Sequence, residues 1–122
     1  MRILKWLIVL LTMFSAMFFV GCGSPKPSVV AENFYAALAK GDWETVGKYS
    51  TSETITNLTP YASKAQSMVA AYGKAKAVKE TIEGDKAIVV VEFENKKDDP
   101  DELNLIKVDG KWKVHLESSS GK

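Results

Sequence analysis

Cysteine and histidine are scarce in this chain of 122 residues, which has one of each, Cys22 and His115. A single cysteine cannot form an internal disulfide, so its thiol is free, joined to another chain or modified. Zinc sites rely mainly on these two residue types, and Cys-His or Ser-His-Asp catalysis requires a histidine. With His115 as the one candidate, the composition gives little basis for either kind of site.

An excess of charge of either sign is also missing, because 16 basic side chains stand against 15 acidic ones. Proteins that bind nucleic acid need a basic surface to neutralise phosphates, so we expect no nucleic-acid partner. The acidic run from Asp98 to Glu102 lacks the spacing and the turn glycine of a calcium-binding EF-hand. We therefore predict no metal and no cofactor.

The chain has no apolar run of the roughly 20 residues that a helix needs to cross a bilayer. Its longest run, from Trp6 to Val20, has about fifteen residues and follows the basic residues Arg2 and Lys5. A charged start, a short apolar stretch and a small-residue exit are typical of a secretory signal peptide. We predict that residues 1–21 are such a signal and are removed.

The end of this run, Val20-Gly21-Cys22, resembles the lipobox of bacterial lipoprotein signal peptides. The resemblance implies that Cys22 receives a diacylglyceryl thioether, becomes the new N-terminus and is held by membrane lipid. Residues 22–27 would then form a short tether, stiffened by two prolines, that keeps the domain close to an extracytoplasmic membrane. Gly23 stands where some inner-membrane lipoproteins carry aspartate, which indicates the outer membrane in a cell that has two.

Residues 28–118 suit one domain with one core, and their first part predicts three helices. Ser28 is expected to cap the first helix, Asp42 a short second one, and Thr59-Pro60 to begin the third. Gly41 and Gly73 are expected to end the first and third helices. Residues 50–59, rich in serine and threonine, are expected to form a loop.

After Gly73, alternation of apolar and polar residues predicts four strands, with turns at Gly84-Asp85 and Asp109-Gly110. The tail, residues 119–122, is expected to be disordered. The predicted fold class is α+β, with three N-terminal helices packed on a curved four-stranded antiparallel sheet.

Two stretches carry a family resemblance: the run from Ala31 to Glu44, which contains Lys40-Gly41-Asp42-Trp43, and the late run from Val108 to Val114. Together they resemble nuclear-transport-factor-like domains, in particular small bacterial lipoproteins of unknown function with a lumazine-binding-like name. The resemblance covers residues 28–117. It implies a cone-shaped fold that can enclose a pocket, which some relatives use as an enzyme site and many use for binding or pairing.

Candidate site residues fall into two groups. Glu80 and Glu92 alternate with apolar residues, so each is either an acid or base on an apolar face or a solvated outer carboxylate. His115 alternates with buried-type residues, so we expect it in solvent or at a subunit interface rather than as a general base. The candidates for lining a pocket, which at this spacing also suit a core, are Phe34, Tyr35, Leu38, Trp43, Tyr49 and Trp112.

The most apolar strand, residues 86–96, predicts a pairing surface. Its set Ala87, Val89, Val91 and Phe93 is expected to face the helices, which leaves Ile88 and Val90 on the opposite face. A sheet that is apolar on both faces needs a second cover. We therefore predict that Ile88 and Val90 pair with a second copy or with another envelope protein.

These features predict a lipid-anchored protein of the cell envelope that binds a partner protein or a small ligand and performs no chemistry of its own. The alternative is a small pocket enzyme of the isomerase or dehydratase type that uses a buried carboxylate. A third option is a structural envelope protein whose task is assembly.

Overall fold

Four helices precede a four-stranded sheet in the computed structural model, which describes residues 25–116. The helices are α1 (Pro27–Lys40), α2 (Trp43–Lys48), α3 (Ser52–Leu58) and α4 (Ala62–Tyr72), with a 3-10 turn, Thr59–Tyr61, between the last two. The strands are β1 (Ala75–Glu83), β2 (Lys86–Phe93), β3 (Asp101–Val108) and β4 (Lys111–Val114). The predicted signal peptide, Cys22 and the predicted disordered tail lie outside the described residues.

The sheet is an antiparallel meander in the order β1-β2-β3-β4, and the predicted α+β class is confirmed. The two predicted turns join β1 to β2 and β3 to β4. Asp109 and Gly110 have φ values of 52° and 79°, and positive φ at both central positions matches the right-handed twist of a two-residue hairpin. The helices pack on one face of the sheet, mainly through α1.

The core lies between α1 and the sheet face that it covers. Alternation along β2 places every second side chain inward, as predicted, and α1 contributes residues at helical spacing. The largest fully buried side chains are Phe34, Phe93, Leu105, Val30, Val46, Val89, Val91, Val114, Thr54 and Pro27.

The prediction that Ser28 caps α1 is wrong, because the helix begins one residue earlier, at Pro27, with Lys26 as the capping residue. Lys26 makes no side-chain capping bond. Instead, the Ser28 N–H donates to a carboxylate oxygen of Glu80, 2.9 Å away on β1. A distant strand thus satisfies a backbone donor that the first turn of a helix leaves unpaired.

The corner between α1 and α2 follows the prediction. Gly41 has the left-handed φ of 74°, and its N–H and that of Asp42 bond back to carbonyls at the end of α1. Asp42 then caps α2 by accepting hydrogen bonds from the N–H and the hydroxyl of Thr45.

Residues 50–59 are not the predicted loop, because α3 occupies most of them. Thr51 caps this helix by accepting from the Thr54 N–H. Thr59 does not cap the next helix either; it lies in the 3-10 turn, and its hydroxyl donates to the Ile55 carbonyl. Serine and threonine side chains compete with helical backbone bonds. Here the Thr51 side chain caps α3, and the Thr54 side chain bonds to the Val114 carbonyl on β4.

Candidate functional site

The side chains predicted to line a pocket mostly fill the core. Phe34, Leu38 and Trp112 are buried, and Trp43 and Tyr49 are partly buried against the core. Tyr35 is also buried, and its ring packs edge-on against Phe93 with centroids 4.9 Å apart. The face of the sheet toward the helices is therefore occupied by side chains.

A shallow groove of about 470 Å³ runs between α1, α4 and the segment 73–75. Tyr35 is the only one of the six predicted lining residues that borders it. Burial raises the pKa of the Tyr35 phenol well above its ordinary value, and the nearby Asp101 and Tyr72 add to the shift. The phenol therefore stays protonated at neutral pH, where it cannot act as a base.

Every aspartate and glutamate in the described range 25–116 is at least partly exposed; the buried polar residues are Ser50 and Thr54. Glu80 lies on the helix side of the sheet but is exposed and bound to the Ser28 N–H. Glu92 lies half-buried on the opposite face, across from Lys76. Neither candidate carboxylate is enclosed by the apolar core.

Glu32 and Glu80 form a reciprocal pair of bonds between α1 and β1. Glu32, on the helix, accepts the N–H of Ala77 on β1 at 2.8 Å, while Glu80, on the strand, accepts the N–H of Ser28 on the helix. β1 is an edge strand, and free edge donors are sites for pairing with other chains. Glu32 occupies one of them.

His115 lies where β4 ends, beside α3. Its Nδ1 is 3.1 Å from the Thr51 hydroxyl oxygen, and its Nε2 is 3.9 Å from a carboxylate oxygen of Glu53. A hydroxyl, an imidazole and a carboxylate in this order could act as a catalytic triad, with Thr51 as the nucleophile, His115 as the base and Glu53 as the group that orients the base. Such a triad requires that the Thr51 hydroxyl donate its hydrogen bond to His115.

Thr54 sets these directions. Its hydroxyl donates to the Val114 carbonyl at 3.0 Å and also accepts the Leu116 N–H at 2.8 Å. The contact of 2.8 Å between the Thr51 and Thr54 hydroxyl oxygens needs a proton, and the Thr54 proton is already used. Thr51 therefore donates its own proton to Thr54.

Because the Thr51 proton goes to Thr54, the Thr51 oxygen can only accept from His115. The imidazole is accordingly protonated on Nδ1, and it does not remove a proton from Thr51. The cluster of Thr51, Thr54 and His115 is a structural latch between α3 and β4. The sequence signal for it was the Thr51-x-x-Thr54 spacing, but only the fold brings β4 to it.

The outer face of the sheet, away from the helices, carries an apolar strip. Ile88 is 42% exposed, and Val90, Ile106 and Val108 are partly exposed beside it; we call these four residues the outer strip. The predicted division of β2 into a buried set and an outward Ile88 and Val90 is confirmed. A cleft of about 440 Å³ lies at one end of the strip, bordered by Ile88, Ile106, Asn104 and His115.

On β2, β3 and β4, the charges that flank the outer strip have opposite signs at its two ends. On β2, Lys86 lies at one end and Glu92 at the other, and on β3 Glu102 lies near the Glu92 end. Lys113, opposite Ile106, extends the basic end onto β4. The edge strand β1 runs the other way, with Lys76 and Lys79 toward the acidic end and Glu83 toward the basic end.

Within residues 25–116, no group of three or more His, Cys, Asp or Glu side chains is placed to hold a metal ion. In the same part of the chain, no helix has the length and hydropathy needed to span a membrane.

Comparison with known proteins gives one family and one solved structure. Residues 20–115 match the family described as Domain of unknown function (DUF4878). A crystal structure of a Campylobacter jejuni protein, named provisionally as an NTF2-like transpeptidase, aligns with a TM-score of 0.57 and 26% identity. The alignment covers 76% of this chain and 100% of that one, and it supports an NTF2-like fold here. None of the curated proteins matches the chain.

Proposed function

The chain belongs to the DUF4878 family of domains of unknown function, and from that premise and its NTF2-like fold we propose that it is a binding domain held at a membrane of the cell envelope. In this proposal it pairs through its outer strip with a second copy, and lipid on Cys22 anchors it. The single observation that carries the pairing is the apolar strip on a sheet face that the described residues leave uncovered.

The filled core favours a protein that binds a partner at its surface over an enzyme with an internal pocket. The inner sheet face is filled by core side chains, and each carboxylate in residues 25–116 reaches solvent. The isomerase or dehydratase alternative needs a carboxylate with a raised pKa inside a cavity. No observation in the described part of the chain favours it.

The charges beside the outer strip support a second copy as the partner. If two sheets pack face to face with antiparallel strands, Lys86 of one copy approaches Glu92 of the other, and the strips meet between them. A two-fold interface of this kind uses the same surface on both chains. The opposite charges of Lys86 and Glu92 at the two ends of β2 satisfy that requirement without a different protein.

The name of the Campylobacter jejuni protein raises the question of acyl transfer, which needs an activated nucleophile. His115 is the one histidine of this chain, and its Nδ1 proton points at Thr51. Thr51 in turn gives its proton to Thr54. A Thr-His nucleophile of this kind is therefore not part of the proposed function.

Sedimentation of residues 25–122, produced without the leader, tests the pairing. We expect a concentration-dependent dimer, and we expect Ile88→Lys to raise its dissociation constant at least tenfold, because a buried lysine lacks a partner in an apolar strip. Met68→Lys is the matched control, since Met68 on α4 is 44% exposed. A monomer at high concentration that Ile88→Lys leaves unchanged would refute the proposal.

A further inference from the structure

Exposed apolar side chains collect at the N-terminal end of α1. Val29, in the first turn of that helix, is 41% exposed, and Val78 and Ile82 on β1 are 46% and 49% exposed. The described residues contain six large apolar side chains of this kind. Half of them thus belong to two short segments, which we call the edge patch: Val29, Val78 and Ile82.

A hydrogen bond joins the two segments that carry the edge patch. The Ser28 N–H and the Glu80 carboxylate, 2.9 Å apart, join the first turn of α1 to β1. Val29 follows Ser28 directly, and Val78 and Ile82 lie two residues to either side of Glu80. At about 3.3 Å per strand residue, each of those two lies within about 7 Å of Glu80 along the strand.

The local backbone explains why these side chains stay uncovered. Val78 has no partner on β2, because the register shifts between Ala77 and Lys79. Such a bulge bends an edge strand and re-aims its side chain. Ile82 lies opposite Ala87 on the helix side of the sheet, yet it is exposed while Ala87 is buried. The cover that the helices provide therefore ends before Ile82.

The same end of the molecule is where the chain enters the fold. Pro25 and Lys26 are exposed and precede α1, and Lys26 has an extended backbone, with φ −66° and ψ 158°. Cys22 is three residues before Pro25. At 3.8 Å per residue, the Cα atom of Cys22 is at most about 11 Å from that of Pro25.

We propose that the edge patch contacts the surface of the lipid bilayer that holds Cys22. This inference rests on the proposed lipid anchor, and it adds which side of the domain the membrane covers. So short a connection keeps the first turn of α1 near the headgroups, where apolar side chains can enter the interface. Lys26 is exposed directly before this turn, and a lysine at this level favours anionic lipid.

Contact between the edge patch and the bilayer would fix the direction in which the outer strip faces relative to the membrane. The edge patch lies on the edge strand and the helix, whereas the outer strip lies on the opposite face of β2 and β3. With the edge patch on the bilayer, the outer strip stays free for a second anchored copy. Anchoring both copies to one surface would also raise their effective concentration for pairing.

The test uses the native, lipidated chain in vesicles of phosphatidylethanolamine and phosphatidylglycerol. A fluorophore is attached at Ile82→Cys or, as control, at Met68→Cys, which is about equally exposed in the fold but lies on α4. We expect aqueous iodide to quench the label at 82 at least threefold less than at 68. We also expect brominated phospholipid to quench only the label at 82.

Four outcomes are distinguishable. The expected quenching at 82 supports the bilayer contact. A chain that floats with the vesicles but is quenched equally at both positions overturns the contact and leaves the anchor standing. Shielding from iodide at 82 without quenching by brominated lipid means that protein covers the edge patch, which also overturns the proposal. A chain that does not float, with an unmodified Cys22 by mass spectrometry, overturns the anchor and the contact together.

Discussion

Replacing Thr54 by valine isolates the latch between α3 and β4. Valine has nearly the shape of threonine, so the change removes a hydroxyl without opening a cavity. Thr54 is fully buried, and its oxygen takes part in bonds with the Val114 carbonyl, the Leu116 N–H and the Thr51 hydroxyl. All three bonds are lost together in Thr54→Val.

The expected loss of stability follows from what happens to each former partner. The Val114 carbonyl still accepts the Thr51 N–H at 3.0 Å, so it stays satisfied. Leu116 and Thr51 are partly exposed, and water can replace part of what they lose. At roughly 0.5 to 1.5 kcal/mol per bond, three bonds with this relief give a loss of about 2 to 3 kcal/mol.

Urea unfolding of residues 25–122 measures this loss, and an unchanged m-value would show that the unfolded state is not altered. The same variant has a second readout in His115. Once Thr54 cannot accept, the Thr51 hydroxyl is free to donate to Nδ1, so we expect the imidazole proton to move to Nε2. The nitrogen chemical shifts of the ring distinguish the two tautomers.

Ser50→Ala is the matched control, because Ser50 is a buried hydroxyl next to the same strand but without a hydrogen-bond partner. Removing an unsatisfied buried hydroxyl should be neutral or stabilise the fold by up to about 1 kcal/mol. If Thr54→Val changes the free energy of unfolding by less than about 0.5 kcal/mol, or leaves the imidazole proton of His115 on Nδ1, the assigned hydrogen bonds are wrong.

Two further predictions concern the helical corner. Gly41→Ala should destabilise the fold by about 1 to 2 kcal/mol, because it forces alanine to φ 74° with its Cβ 2.8 Å from the Gln66 side chain. Gly47→Ala is the control and should stabilise the fold, because a Cβ at that position meets nothing within 4 Å. Urea unfolding that ranks the two variants otherwise would contradict the corner geometry. The Thr45 hydroxyl and N–H lower the pKa of Asp42 below its ordinary 3.8. The ionised Asp42 therefore stabilises the fold fully above that pH, and this contribution is lost as the pH falls through the lowered pKa of the folded state. Asp42→Asn should remove this part of the acid dependence of unfolding, and an unchanged dependence would contradict the cap.

Residues 86–93 illustrate what could be predicted from the sequence about this fold. Successive strand side chains point to opposite faces, so the alternation of Ala87, Val89, Val91 and Phe93 was enough to assign the buried face and to leave Ile88 and Val90 outside. The turn at Asp109-Gly110 and the stop at Gly41 were equally local, because positive φ favours these residues at any place in a fold.

The candidate site was less accessible to such reasoning. Glu80 was a candidate acid because it alternates with apolar residues, but its role depends on the first turn of α1, 52 positions earlier in the chain. The pocket prediction for Phe34, Leu38 and Trp112 could not be decided either, since the same residues suit a core or a cavity wall. The distance between α1 and the sheet, which no local pattern specifies, decided in favour of the core.

Local periodicity and turn chemistry by themselves determined the α+β class, the order of the strands as a meander and the inward face of β2, because each depends on residues close together in the chain. Only the tertiary structure decided that residues 52–58 are helical, that Thr51 gives its proton to Thr54, and that the first turn of α1 is bonded to Glu80 on β1. Each of these depends on partners 45 or more residues away, whose positions are set by the packing of the whole core.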